Sequence, residues 1–230
     1  MLILAIDTAL DACAAAVLDT DADALVVQAS LPMKRGHAEA LMPLIVQTMQ
    51  SARLSFMALD RIAVTTGPGS FTGLRVGISA ARGIALATGR PAVGLTTLSA
   101  YAAPIVSTNK SDPIISAIDA RHDRVYFQIV AGDGSPLVRP EVASIDEAIA
   151  ASCFGAPCLV GNAAKTLADR WPKDAPAPVA IDTQAAPDIA WVARLGAAAD
   201  PETTPARPFY LRAPDAKPTA TLPVQAAAKR

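Results

Sequence analysis

Residues Thr65 to Gly89, TTGPGSFTGLRVGISAARGIALATG, restrict the fold more than any other part of the chain. A β-branched run from Ile62 to Thr66 meets Gly67-Pro68-Gly69, and Ser70 or Thr72 can then cap a helix. That helix runs about four turns, to a glycine C-cap at Gly89. A strand, a glycine-bounded turn and a helix whose open N–H groups face the turn can hold an anion, or can simply present the helix. Gly73, Gly77, Ala81 and Ala85 recur every fourth residue and make a flat stripe along the helix. Each interior glycine costs a helix about 1 kcal/mol relative to alanine, so the stripe calls for a close contact. Packing on the chain's own sheet and docking of another chain both supply one. Periodicity does not separate them.

The same β-turn-β pattern opens both halves. Ala117-Ile118-Asp119 lies 112 positions after Ala5-Ile6-Asp7, and Asp123 lies 112 after Asp11. Leu2–Ile6 and Cys13–Leu18 read as a hairpin followed by a strand at Leu25–Leu31, and Ile114–Val130 repeats the hairpin. Two lobes of related topology follow: residues 1–106, then residues 107–213 after the polar crossing at Ser107–Pro113. Asp119 could face Asp7 across a cleft; equally, both could be turn formers. Asp7 and Thr8, Gly67, Gly69 and Ser70, and Asp119 are the positions where a nucleotide or phosphate could be met.

Between these segments, Leu41, Leu44, Ile45, Thr48 and Met49 mark an amphipathic helix over residues 36–54. Ser144 with Glu147 is a capping-box pattern for a helix to Ser152. Further helices are expected over 163–170 and 186–198, and short strands at 92–95 and 159–162. Residues 214–230, rich in Pro, Ala and Lys, read as a disordered tail.

Composition narrows the chemistry. The formal net charge is -1, against a stand-alone nucleic-acid binder. Asp7 interrupts the apolar N-terminus too early for a signal peptide. The uncharged run Pro91–Asn109 holds two prolines and many Ser and Thr, which argues against a membrane span. Cys13, Cys153 and Cys158 are odd in number and lack paired zinc spacing, as expected of free thiols in a reducing cytosol. The glycine turn lacks the GK[ST] of a P-loop and the spacing of a dinucleotide fingerprint. His37 has Leu41 where an H-x-x-x-H pair needs its second histidine, so no metal site is expected. No Ser-His-Asp or Cys-His set is visible.

The segments LAIDTALDACAAAVL, RGHAEALMPLI, GPGSFTGLRVGISAARGIALA and RPFYLR follow one another as they do in TsaB (YeaZ) proteins, which the chain resembles up to about Arg212. The resemblance implies a two-lobed α/β fold of the actin/Hsp70/sugar-kinase kind, each lobe built as βββαβα. It also implies a cytoplasmic, non-catalytic scaffold in making threonylcarbamoyladenosine beside the anticodon of tRNAs that read ANN codons. The implied partners are the catalytic paralogue TsaD, the ATPase TsaE and a second copy of the chain, with tRNA met indirectly. No cofactor of its own is implied, though ATP or ADP could sit at the complex interface. By position, the partner surface falls on Leu41 and Ile45 of the first helix and on Phe71, Gly73, Leu74, Arg75, Gly77, Ile78, Ala81 and Ala85 of the second. Ala9 stands where the family commonly has Ser, which weakens a phosphate contact there. The rival expectation is an active ATPase or sugar kinase of the same fold.

Overall fold

The computed structural model describes residues 1–108 and 111–212; the tail expected at 214–230 lies outside them. The chain forms β1 (Leu2–Asp7), β2 (Ala12–Asp19), β3 (Ala24–Pro32), α1 (His37–Ser51), β4 (Arg61–Gly67), α2 (Phe71–Thr88), β5 (Ala92–Thr96) and α3 (Thr97–Val106). A second series follows: β6 (Ile114–Asp119), β7 (Arg124–Val130), β8 (Pro136–Ser144), α4 (Ile145–Ile149), β9 (Cys158–Val160), α5 (Ala164–Asp169), β10 (Ala180–Asp182) and α6 (Ile189–Ala198).

The first sheet has the order β3-β2-β1-β4-β5, and the second β10-β9-β6-β7-β8. Read from the opposite edge, the second order is the first repeated strand for strand. In both, three antiparallel strands are extended by two parallel ones. The 112-residue offset holds from β1 to β6, from β2 to β7 and from β3 to β8. It fails after β8 because the second crossover is shorter. This is the expected two-lobed, duplicated α/β fold.

Three elements depart from the sequence reading. β8, the third strand that the resemblance implies for the second lobe, was not located from the residues, since Pro136, Arg139, Pro140 and Glu141 suit a strand poorly; as the sheet's edge it can carry prolines without breaking a ladder. β10 has three residues, too few for a period-two pattern. The helix expected from Ser144 to Ser152 ends at Ile149 and continues as a 3₁₀ turn over residues 150–154, with the capping box of Ser144 and Glu147 intact.

The central strand β1 is buried on both faces, as its unbroken apolar run requires. Leu4 and Ile6 join Leu41, Ile45, Val64, Leu74 and Ile78 under α1 and α2. Ile3 and Ala5 turn the other way, onto Val192 and Ala193 of α6. That helix belongs in sequence to the expected second lobe, residues 107–213, yet it covers the first sheet. Arg61 fixes its end: Nη1 lies 2.8, 2.9 and 2.7 Å from the carbonyl oxygens of Gly196, Ala197 and Ala199. A cation on the last open carbonyls also meets the negative end of the helix dipole. The two sheets are joined through α3, whose Leu98 and Tyr101 pack in one core with Ile114, Ile118 and Val160. Tyr101 is buried, and its hydroxyl donates to the carbonyl oxygen of Gln184 at 2.9 Å.

Candidate functional site

The lobes enclose a cleft of about 750 Å³. Its floor is the turn between β1 and β2 (Ala9 to Asp11) and the turn before α2 (Pro68 to Ser70). The second lobe contributes Asp119 to Arg121, Tyr126 and Asn162. Lys34 and Arg35, just before α1, and a C-terminal strap from Phe209 to Arg212 complete the rim.

Of the expected phosphate positions, Gly69, Ser70 and Asp119 reach this cleft. Asp7 and Thr8 lie in the buried interior, away from its walls. Asp7 Oδ1 accepts from the Thr65 hydroxyl and from the backbone N–H of Ala9, while Oδ2 has no partner among the described residues. Burial pushes the Asp7 carboxyl above the ordinary carboxylate range, against the pull of the Thr65 and Ala9 donors and of His37. The Thr8 hydroxyl is spent on the carbonyl oxygen of Gly73 at 2.7 Å.

The glycine turn is likewise satisfied from within. Ser70 N–H donates to Ala9 O at 2.7 Å, and Ser70 Oγ accepts from Gly73 N–H at 3.3 Å, capping α2. A Cβ on Gly69 would stand 2.3 Å from Ala9 O. Gly67, at φ 115, has the carbonyl oxygen of Phe209 against its missing side chain. The turn therefore locks two loops and the strap together, and its geometry is spent on that work. Asp119 accepts the backbone N–H of Arg121 at 2.8 Å and, at its own N–H, donates to Asn162 Oδ1 at 2.9 Å. Both aspartates form turns; only Asp119 also borders the cleft.

His37 is buried, with Nε2 3.0 Å from the Leu10 carbonyl oxygen, so Nε2 carries the proton and the ring pins α1 to the first hairpin. Among the described residues no cluster of three or more His, Cys, Asp or Glu could hold a metal ion.

The expected partner surface needs correction at most of its positions. Leu41, Ile45, Gly73, Leu74, Gly77, Ile78 and Ala81 are buried within the chain itself. The two glycines of the stripe let Thr8, the residue after β1, approach α2: a Cβ on Gly73 would lie 2.1 Å from Thr8 O, and one on Gly77 2.4 Å from Thr8 Oγ1. Arg75 is exposed, and Phe71 and Ala85 are partly so. The outward face of the two helices carries Met42 and Val46 on α1 and Leu86, 87% exposed, on α2. Met57, in the 3₁₀ turn before β4, is also exposed.

The strap was not singled out as part of a site by sequence reasoning. Phe209 N–H donates to Thr66 O at 2.8 Å, Tyr210 lies 5.4 Å from the Phe71 ring, and the Arg75 guanidinium sits 3.8 Å over Phe71. Arg75 Nε also donates to the Tyr210 hydroxyl at 3.3 Å. The aromatic pair Phe209-Tyr210 between Arg207 and Arg212 is the signal that could have marked it.

Comparison with known proteins places this architecture. Residues 31–180 match the family model TsaD, tRNA N6-adenosine threonylcarbamoyltransferase. The tRNA threonylcarbamoyladenosine biosynthesis protein TsaB of Escherichia coli (strain K12) is 35% identical over 128 residues, 55% of this chain and 54% of that protein. TsaB of Haemophilus influenzae is 32% identical over 56% of this chain and 53% of its own length. YeaZ from Pseudomonas aeruginosa superposes with a TM-score of 0.70 at 26% identity, covering 91% of this chain and 99% of that one. The chain belongs to the TsaB (YeaZ) family. Its matches to the curated TsaB proteins span about half of their length. An uncharacterized protein of Mycobacterium tuberculosis (strain H37Rv) matches end to end, 32% identical over 95% of both chains. Among the described residues no helix is long and apolar enough to cross a membrane.

Proposed function

We propose that this TsaB-family chain is a non-catalytic, cytoplasmic subunit of the machinery that makes threonylcarbamoyladenosine in tRNA. In this reading it holds a TsaD-type catalytic paralogue on the outer face of α1 and α2. The observation that carries the proposal is that face. Met42 and Val46, one turn apart on α1, and Leu86 on the adjacent α2 expose apolar side chains where a soluble helix pair normally carries polar ones. Arg75, Ser79 and Arg82 flank them with the polar rim usual at a protein interface. The sealed Asp7 supports a non-catalytic role, because a carboxylate that water does not reach cannot orient a nucleotide or its metal. A second copy of the chain would use the same face, so homodimer and TsaD complex exclude one another. TsaE and ATP or ADP join at the assembled complex, and tRNA is met there.

Size-exclusion of the chain with the TsaD of its own organism tests this. Co-elution is expected for the wild type and is lost for Leu86→Asp, whose thermal unfolding stays unchanged. Co-elution unaffected by Leu86→Asp and Val46→Asp would remove the proposed face. Steady ATP turnover by the chain alone, abolished by Asp7→Asn, would establish the rival kinase reading.

A further inference from the structure

We infer that the cleft between the lobes binds an unpaired RNA segment, its phosphates on the basic rim and its bases against the strap aromatics. The site adjoins the α1–α2 face at Arg75, which holds Tyr210, but the Met42, Val46 and Leu86 side chains do not line it. It rests on the tRNA reading above and deepens it by giving the chain a direct contact with RNA.

Three properties of the cleft point to this ligand. First, its basic side chains come from three separate parts of the chain. Lys34 and Arg35 precede α1, Arg121 lies in the turn between β6 and β7, and Arg212 is in the strap. The overall formal charge is -1, so this clustering is local. Of the two carboxylates that share the cleft, Asp119 is engaged by Arg121 N–H, and Asp11 reaches Lys34 only at 4.0 Å. Cations spread along a mouth suit a chain of phosphates.

Second, the rim offers flat apolar faces. Tyr210 is 42% exposed and Phe209 36% exposed, although both are anchored. Tyr210 is held against Phe71 and by Arg75, and Phe209 through its backbone to Thr66. A ring that is held yet half open is pre-organised to stack a base, because little side-chain entropy remains to be lost.

Third, two donors that could grip a single phosphoryl group are spent. Ser70 N–H is taken by Ala9 O, and the Thr8 hydroxyl by Gly73 O. A mononucleotide, whose affinity rests on its phosphate end, has neither of those donors to use. An extended strand needs neither, since its contacts are shared among several phosphates and bases.

Arg121 is also presented rigidly. It sits at φ 62, followed by His122 at φ 53 and Asp123 at φ 59, in a turn closed by Ala120 N–H to Arg124 O at 2.9 Å.

The test is fluorescence anisotropy of the full chain with a labelled single-stranded RNA of about 15 nucleotides. Binding is expected to weaken with salt, with a slope of about -2 to -3 in log K against log salt. Tyr210→Ala should weaken it about tenfold through the lost stacking. Arg35→Ala, on an exposed loop where folding is not at stake, should make the slope shallower by about 0.7. Lys165→Ala, in an exposed pair with Asp169 outside the cleft, should change nothing. No binding, equal binding of a duplex of the same sequence, displacement by equimolar AMP, or indifference to both cleft variants would each overturn the inference. A chain that co-elutes with TsaD but fails these measurements loses the RNA site and keeps its scaffold role; RNA binding without co-elution has the converse meaning.

Discussion

Thr8 and Gly73, 65 residues apart, are joined by a 2.7 Å hydrogen bond from the threonine hydroxyl to the glycine carbonyl oxygen. The same threonine fills the groove that Gly73 and Gly77 leave on α2. The end of the central strand is thereby wedged into the helix, with backbone rather than flexible side chain at the point of closest approach.

Gly73→Ala is therefore expected to destabilise the chain by about 1–3 kcal/mol, the overpacking cost outweighing the helix-propensity gain. Gly83→Ala, on the same helix with no described residue within 4 Å of its Cβ position, should instead stabilise by about 0.5–1 kcal/mol. Urea unfolding of the two variants checks the contrast. Two changes of the same sign would sink it.

Ala81→Arg is expected to abolish folding, because Ala81, on the inward face of α2, is fully buried. Loss of near-ultraviolet circular dichroism is the readout. A well-folded Ala81→Arg chain would mean that the stripe faces outward after all.

Asp7 makes stability depend on pH in a stated direction. Its carboxyl is raised in the folded chain by burial. In the unfolded chain it ionises near the ordinary value of about 3.9. A raised acid costs nothing below the unfolded value; stability is lost as pH rises from there to the folded value, and the penalty is constant above it. Asp7→Asn keeps an oxygen for Thr65 and Ala9 and cannot ionise. It should be more stable than the wild type at pH 7, with the gap closing below about pH 4. A pH-independent gap in urea midpoints would count against a buried, titrating Asp7.

Arg61→Ala should cost about 1–3 kcal/mol, since it strips a cation from three carbonyl oxygens at the end of α6. Hydrogen exchange should show the last turn of α6 opening first. Unchanged protection there would assign that helix end to packing alone.

The repeat was readable in the sequence because both halves use hairpins of equal length, so Ile6 and Ile118, or Asp7 and Asp119, keep their register. It became unreadable where Pro136 and Pro140 hide an edge strand and where β10 shrinks to three residues. The stripe on α2 was legible as a demand for close contact, but periodicity carries no information about which chain answers it; Thr8 does. The cleft was legible only at Gly69, Ser70 and Asp119. Its rim depends on Phe209 and Tyr210 returning to Thr66 and Phe71, a pairing across most of the chain that no local pattern encodes. Asp7 looked available because sequence does not report depth.

The return of α6 to the first sheet sets an order of assembly. During synthesis, Ile3, Ala5, Ala63 and Val93 emerge early, but their cover, Val192 and Ala193, emerges after the whole second sheet. The first half must wait with one face of its central strands uncapped, and the bridge between Val93 and Pro205 closes later still. A nascent chain halted before residue 189 should thus be held by chaperones, whereas release past Pro205 lets both halves close together.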